Sequence, residues 1–170
     1  MVTSGPGGTN AITGVTGAWI DSIPLFIVSG QSYSTQIIGK TGLRQLGVQE
    51  INITDIVKPT TKYAIIVDNP LDIRYHLEKA FYLATSGRPG PVWLDIPVNI
   101  QMTMIEENEL RSFLDYDRDK INENLKEEVS KTIEMIKNAK RPIILLGNGV
   151  RLSNAVKEFF DMAEILSIPI

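Results

Sequence analysis

Short apolar runs alternate with helix-like stretches along the first hundred residues of the chain. Residues 23–29 form a short continuous apolar run ended by Gly30, and residues 63–67 have the same character, as in strands buried on both faces. Residues 91–97 are predicted as a strand bracketed by prolines. Between them, apolar residues recur at helical spacing over 11–21 and 69–86. This alternation predicts an α/β fold, with a parallel sheet covered by helices on both faces.

A glycine-rich turn precedes the first predicted helix. Residues 3–10 are Thr-Ser-Gly-Pro-Gly-Gly-Thr-Asn. Pro6 fixes its own φ and the glycines lack a Cβ, so this backbone can come close to a flat ligand. We expect Thr9 and Asn10 to supply hydrogen-bonding side chains where the helix over 11–21 begins. The spacing alone is typical of a strand-to-helix turn in any α/β domain.

The helix over 69–86 has clear start and stop signals. Asn69 followed by Pro70 is a polar N-cap with proline at the first helical position, and Gly87 ends the helix before Pro89. We expect His76, the only histidine, to be a surface or half-buried helix residue. The apolar face should bury Ile73, Leu77, Ala80, Phe81 and Ala84, and both Trp19 and Trp93 should lie in the core. Residues 49–57 carry a shorter helical pattern.

The composition changes after Gln101, which predicts a domain boundary. Residues 102–119 are acidic with few periodic apolar positions, as in a surface linker, so residues 1–101 form one domain. Residues 120–170 then begin a second α/β, Rossmann-like domain. It should contain a helix capped by Asn122, a strand over 142–146, the turn Gly147-Asn148-Gly149, a helix with Val156, Phe159, Phe160, Ala163 and Leu166 inward, and a strand beginning at 168–170.

Composition and charge exclude several classes of function. A net charge of −3 without Lys/Arg clusters argues against nucleic-acid binding. The absence of cysteine excludes disulfides and thiolate chemistry. No apolar run is long enough to cross a bilayer, so we expect no membrane partner and a cytoplasmic location. The acid pairs 106–107 and 127–128 point apart on a helix and should be solvated.

Five motifs in order resemble one enzyme family. They are residues 3–10, 21–24, 29–31, 49–50 and the Gly-Arg-Pro-Gly-Pro…Asp-Ile-Pro segment at 87–97. With these motifs the chain resembles thiamine-diphosphate-dependent enzymes of the acetolactate synthase type. The likeness is weaker beyond residue 119, where it rests on the order of helix, strand and Gly-x-Gly turn.

The resemblance implies two sets of cofactor-binding residues. Those for thiamine diphosphate are Ser4, Gly5, Pro6, Gly7, Asn10, Gln31 and Gln49. Gln49 matches the family's Phe-Gln-Glu motif, although Val48 replaces the phenylalanine. In flavin-carrying members the positions that help hold FAD match Ser22, Lys62, Arg88, Gly147, Asn148 and Gly149.

The resemblance also implies that the chain is a fragment that is inactive alone. It would cover the second half of the pyrimidine-binding domain and the start of the central domain. The family's catalytic glutamate would lie before Met1, and its Gly-Asp-Gly…Asn motif, which holds Mg²⁺ and diphosphate, after Ile170. No catalytic residue or metal ligand is therefore expected here. The full-length enzyme would act on a 2-keto acid as a homodimer or tetramer.

Alternatives stay open at this point. The chain could be a non-catalytic α/β binding or scaffold module, although edges that open and close in mid-strand favour a fragment. It could also belong to a thiamine-diphosphate-dependent 2-keto acid decarboxylase or keto-sugar ligase. The connection between Gln31 and Gln49 is longer than in ordinary acetolactate synthases and faces the acceptor, which leaves the acceptor open.

Overall fold

The computed structural model describes residues 1–113 and 124–170. The chain divides into two compact units, Met1–Arg118 and Asp119–Ile170. No helix of the described residues is long and apolar enough to cross a membrane.

The first unit is built on a three-stranded parallel sheet. Strands β1 (Leu25–Gln31), β2 (Tyr63–Ile66) and β3 (Pro91–Pro97) lie in the order β1-β3-β2, with Ser29 opposite Asp95. Val2 adds one parallel bridge to β1. The predicted parallel α/β fold is confirmed. Strand β1 begins two residues later than predicted and includes Gly30 and Gln31.

Helices cover both faces of this sheet, and alternate side chains of β3 point to opposite faces. The helices are α1 (Pro6–Ile20), α2 (Ile53–Val57) and α3 (Ile73–Thr85). Trp93 packs with Val15 of α1 and with α2, whereas Val92 and Leu94 pack with the alanines of α3. Because successive side chains of a strand point to opposite faces, the apolar residues of β3 belong to two hydrophobic clusters, one on each face of the sheet.

Helix α1 begins five residues earlier than predicted. Its N-cap is Gly5, with φ at 55°, and Pro6 occupies the first helical turn. Proline is suited to that position because its fixed φ is helical and its missing N–H is not needed there. Thr9 and Asn10 are therefore helical and do not cap the helix. The Thr9 hydroxyl instead donates to the Pro6 carbonyl at 3.1 Å.

Helix α3 confirms the predicted cap and corrects the predicted face. The Asn69 side chain accepts from Leu71 N at 3.1 Å, and a 3₁₀ turn over Pro70–Asp72 leads into the helix. Ala80 and Ala84 are buried, but Leu77 is 40% and Phe81 67% exposed. Small alanines let the helix lie close to the sheet. Phe81 directly follows Ala80 and is rotated about 100° from it, which turns the Phe81 side chain away from the sheet.

Two aromatic predictions have different outcomes. Trp93 is fully buried, as predicted, but Trp19 is 40% exposed near the end of α1 and does not belong to the core.

His76 is half-buried, as predicted, and its Nδ1 lies 2.7 Å from the Tyr63 hydroxyl of β2. Burial lowers the pKa of His76 and raises the pKa of Tyr63 to about 12, so this pair is neutral near pH 7.

Shorter elements complete the first unit. Helix α2 covers only the last part of the helix predicted over 49–57, because Asn52 caps it by accepting from Asp55 N at 3.2 Å. Strand β3 continues directly into the short helix α4 (Val98–Gln101). The predicted linker contains a 3₁₀ turn at Glu107–Glu109, and its last part, 114–119, lies outside the described residues.

The second unit contains helices α5 (Leu125–Asn138), α6 (Gly149–Leu152) and α7 (Val156–Leu166). The strands predicted at 142–146 and 168–170 are wrong, since one hydrogen bond, from Ile144 N to Pro169 O at 2.9 Å, joins these segments without a ladder. On α7, Phe159 is buried as predicted, but Phe160 is 54% exposed. The predicted cap Asn122 lies outside the described residues.

Candidate functional site

A buried polar network lies at the carboxyl edge of the sheet, where β1 and β3 end side by side. The Trp93 indole N–H donates to the Ser29 hydroxyl at 2.7 Å, and that hydroxyl donates to Asp95 Oδ1 at 2.5 Å. The Gln31 amide donates to Asp95 Oδ2 at 2.8 Å and to the Ile51 carbonyl at 2.9 Å. Two strands and the loop before α2 are thus joined at the edge where parallel α/β sheets bind ligands.

Asp95 is the electrostatic centre of this network. Its side chain is fully buried, and burial raises its pKa to about 6. The hydrogen bonds from Ser29 and Gln31 lower that pKa, whereas the nearby charge of Glu50 raises it further. A carboxyl with a pKa near 6 exchanges its proton close to neutral pH, well above the usual range of an aspartate.

The glycine-rich turn packs directly against Gln49. A Cβ added at Gly5 would overlap the Gln49 carbonyl oxygen, far inside the 3.0 Å that real Cβ atoms keep. Gln49 itself has φ at 54°, a left-handed conformation that non-glycine residues rarely adopt. Gly8 lies over Ile53 of α2 and over Trp93, at 3.3 and 3.6 Å from the position of an added Cβ. Strained backbone held in this way is typical of functional sites.

The structure brings together some of the residues predicted to bind thiamine diphosphate. Gly5 is buried and lies against Gln49, which is itself exposed. Gln31 is buried in the network below, and its Oε1 accepts from Ser32 N at 3.0 Å. The others border the turn: Ser4 and Gly7 are half-buried, and Pro6 and Asn10 are exposed.

A second polar group lies at the opposite edge of the sheet, where β1 and β3 begin. Arg88 Nε donates to the Ser22 hydroxyl at 2.6 Å, and Lys62 Nζ donates to the Ser86 carbonyl at 2.6 Å. Ser22 is buried with φ at 57°, a second strained position. The adjoining groove of about 440 Å³ is lined by Trp19, Ile20, Lys62, Arg88 and Pro89. The three residues predicted to bind FAD in this unit are therefore neighbours.

The Gly147-Asn148-Gly149 turn belongs to the second unit. It leads into α6, and the Asn148 side chain accepts from Arg151 Nε at 3.0 Å. No heavy atom would lie within 4 Å of a Cβ added at Gly147 or Gly149, so neither glycine is required by close packing. A pocket of about 250 Å³ adjoins the turn, and its lining includes Leu146, Val150 and the α7 residues Val156, Phe159 and Phe160.

The sequence placed Trp93 in the core and assigned no role to Asp95 or Glu50, although both acids lie in the motifs that carry the resemblance. An acid inside an otherwise apolar strand was the available signal for Asp95. Its register opposite Ser29 reveals the network, and that register comes only from the pairing of β1 with β3.

Comparison with known sequences identifies the class of protein. The family model "Thiamine pyrophosphate enzyme, N-terminal TPP binding domain" matches residues 1–56, and "Thiamine pyrophosphate enzyme, central domain" matches residues 129–170. Together the two matches cover more than half of the chain. The chain belongs to the thiamine pyrophosphate enzyme family.

Curated relatives align with nearly the whole chain. The chain is 37% identical over its whole length to the acetolactate synthase large subunit of Haemophilus influenzae, and 34% identical to the acetolactate synthase isozyme 3 large subunit of Escherichia coli. A probable acetolactate synthase large subunit of Methanocaldococcus jannaschii is 35% identical over 99% of the chain. The alignments cover 29%, 29% and 28% of these relatives, so the chain spans less than a third of their length.

Proposed function

We propose that this chain forms the pyrimidine-facing wall of a thiamine-diphosphate-dependent carboligase. The enzyme would decarboxylate a 2-keto acid such as pyruvate and transfer the two-carbon unit to a carbonyl acceptor, as the names of its relatives suggest. The observation that carries this proposal is the glycine turn held against strained Gln49, two residues before the Ile51 carbonyl that Gln31 connects to Asp95. The left-handed backbone of Gln49 favours a ligand-binding role over a purely structural role.

The residues at the carboxyl edge fit a flat, polar ring. The turn leaves no space for a side chain at Gly5, and it exposes Pro6 and Gln49 beside half-buried Ser4. In this proposal Ser4, Pro6 and Gln49 bind the ring edge with Gly7 and Asn10, while Gln31 holds the loop before α2 in place. Thiamine diphosphate, when bound, supplies the electron sink for decarboxylation. This chain supplies binding and orientation.

The metal belongs to a part of the enzyme outside this chain in our proposal. The described residues contain no group of three or more His, Asp or Glu side chains that could hold a metal ion. A diphosphate with Mg²⁺ needs several oxygen ligands, which another domain of the enzyme would provide. The catalytic glutamate would come from the remaining part of the pyrimidine-binding domain. We therefore infer that the chain by itself neither binds thiamine diphosphate at micromolar concentration nor consumes pyruvate.

A second cofactor, FAD, is favoured by the groove beside Arg88. The exposed Trp19 ring and the two cations Lys62 and Arg88 suit a ligand that is both aromatic and anionic. We propose that the flavin has a structural role there, because joining two acyl units involves no net electron transfer. In the second unit, the Gly147-Asn148-Gly149 turn is a separate candidate for flavin contact on the resemblance alone.

We also propose a cytoplasmic homodimer or tetramer. Helix α1 supports this, because Gly14 and Gly17 are exposed and no heavy atom would lie within 4 Å of a Cβ at either position. Trp19 and Ile20 are exposed on the same helix. A helix that presents small residues beside large apolar ones suits close packing against a second copy.

The decisive experiment uses the complete gene product with thiamine diphosphate and Mg²⁺. Acetolactate formed from pyruvate supports the proposal. Acetaldehyde alone indicates a decarboxylase, turnover only with a sugar acceptor indicates a keto-sugar ligase, and no cofactor binding indicates a non-catalytic module. Gln49→Asn shortens the side chain by one methylene, and asparagine tolerates the left-handed backbone. It should raise the Kd for the cofactor about tenfold, the effect of roughly one lost hydrogen bond.

Two controls complete this design. Glu158→Gln changes an exposed residue of α7 and should leave the Kd unchanged. An unchanged Kd in Gln49→Asn would contradict the assignment of Gln49. For the flavin, the absorbance spectrum of the purified protein is the test. A protein that is active yet stays colourless after incubation with FAD would remove Lys62 and Arg88 from the cofactor-binding residues.

A further inference from the structure

Glu50 is a buried acid to which the proposed function gives no role. The residue is 6% exposed, and neither oxygen of its carboxylate has a hydrogen-bond partner among the described residues. An ionised carboxylate is strongly disfavoured in such a place, because burial removes its water, and buried charges in proteins are therefore paired. Glu50 needs a partner that the described part of this chain does not supply.

The backbone on both sides of Glu50 is held by hydrogen bonds. The Glu50 amide donates to the Gly47 carbonyl at 3.3 Å, and the Gln31 side chain donates to the Ile51 carbonyl at 2.9 Å. The carbonyl of Gln49 lies against Gly5. Because these contacts fix the residues before and after Glu50, the position of its carboxylate is set by the fold.

The charges around Glu50 favour a cationic partner. Asp95 is a second buried acid, and its pKa is raised by burial and by the charge of Glu50. Asp95 is bonded to the neutral side chains of Ser29 and Gln31, which bring no positive charge. A metal ion would need several further oxygen ligands, and the described residues contain no group of three or more His, Asp or Glu that could provide them. A guanidinium or ammonium group needs only one carboxylate.

We propose that Glu50 binds a guanidinium or ammonium group from a part of the enzyme outside this chain. The inference rests on the proposed function in one respect, which is that the chain belongs to a longer enzyme, as its coverage of 29% of the Haemophilus influenzae relative suggests. A charge-assisted hydrogen bond at this point joins residues 49–51 to the rest of the enzyme. Glu50 is thus a docking residue that holds Gln49 in place.

The test compares Glu50→Gln in this chain and in the complete gene product, both without cofactor. Hydrogen exchange followed by mass spectrometry reports the opening of the peptide that covers residues 47–57. In this chain the substitution removes an unpaired buried charge, so exchange should slow about tenfold. In the complete gene product it leaves the cation unpaired, so exchange should accelerate at least about tenfold. Glu109→Gln, which changes an exposed acid of the same unit, should alter neither rate.

Opposite signs in the two samples support the proposal. Slower exchange in both would show that no cation reaches Glu50 in the complete enzyme, and faster exchange in both would place the partner within this chain. An acceleration that requires thiamine diphosphate would make the cofactor the partner. Each of these three results overturns the proposal. If this chain alone shows no protection over residues 47–57, the sign in the complete gene product decides. Acetolactate formation is measured separately on the unaltered enzyme, so failure here leaves the proposed function intact.

Discussion

Replacing Gly5 by alanine is the sharpest test of the glycine turn, because two other glycines of the same unit separate the contributions. Gly14 lies inside α1 with no heavy atom within 4 Å of an added Cβ. Gly87 has φ at 54° but equally open space. Gly5 combines a φ of 55° with overlap onto the Gln49 carbonyl. Gly14→Ala therefore carries neither cost, Gly87→Ala carries the cost of the left-handed conformation alone, and Gly5→Ala carries that cost together with the overlap onto Gln49.

The expected magnitudes follow from this geometry. Gly14→Ala should stabilise the unit by about 1 kcal/mol, because alanine loses less backbone entropy in a helix. Gly87→Ala should destabilise it by about 1 kcal/mol, since the left-handed conformation crowds its Cβ. Gly5→Ala adds to that penalty a displacement of Gln49, and overpacking of this kind brings the total to about 3 kcal/mol.

Urea denaturation followed by tryptophan fluorescence measures these differences in the right unit, because Trp19 and Trp93 both lie in Met1–Arg118. A change in midpoint at constant slope reports a change in stability. The reasoning is refuted if Gly5→Ala destabilises the chain no more than Gly87→Ala does. A loss of stability in Gly14→Ala would indicate that another segment or a second copy packs against α1 in solution.

Three further predictions concern the core and its titration. Trp93→Phe removes the indole N–H bonded to Ser29 and should cost about 2 kcal/mol in urea denaturation followed by circular dichroism, whereas the exposed Trp19→Phe should cost little. Tyr63→Phe should abolish the tyrosine transition near pH 12 in an ultraviolet titration; a transition that persists would assign it to another tyrosine. The pKa of His76 is lowered in the folded state, so its stabilisation is present above about pH 6.5 and lost as the pH falls. His76→Gln should flatten stability in that range, and an unchanged profile would contradict this.

The local sequence determined elements whose signals lie within a few residues. The apolar run at 91–97 matches β3, and Asn69-Pro70 starts the helical region as predicted. The motifs along the first hundred residues also identified the enzyme family that the comparisons show. Signals of this kind survive folding because capping, proline geometry and strand length are local properties.

Local patterns failed where a partner segment was needed. The apolar run at 142–146 was predicted as a strand, yet it forms no ladder in the second unit. A strand is stable only when its backbone groups pair with a neighbour, and apolar composition does not supply one. Phe81 shows the same limit for a helix, since Ala80 and Ala84 pack against the sheet and leave Phe81 exposed.

The candidate site depended on tertiary structure most of all. Gly5 and Gln49 are far apart in sequence, and only the packing of α1 beside the loop before α2 brings their backbones into contact. Asp95 became the centre of a network because β3 lies between β1 and β2, which buries its carboxyl and places Ser29 opposite it. The sequence supplied the residue types. Strand order decided which of them meet, and burial raised the pKa of Asp95.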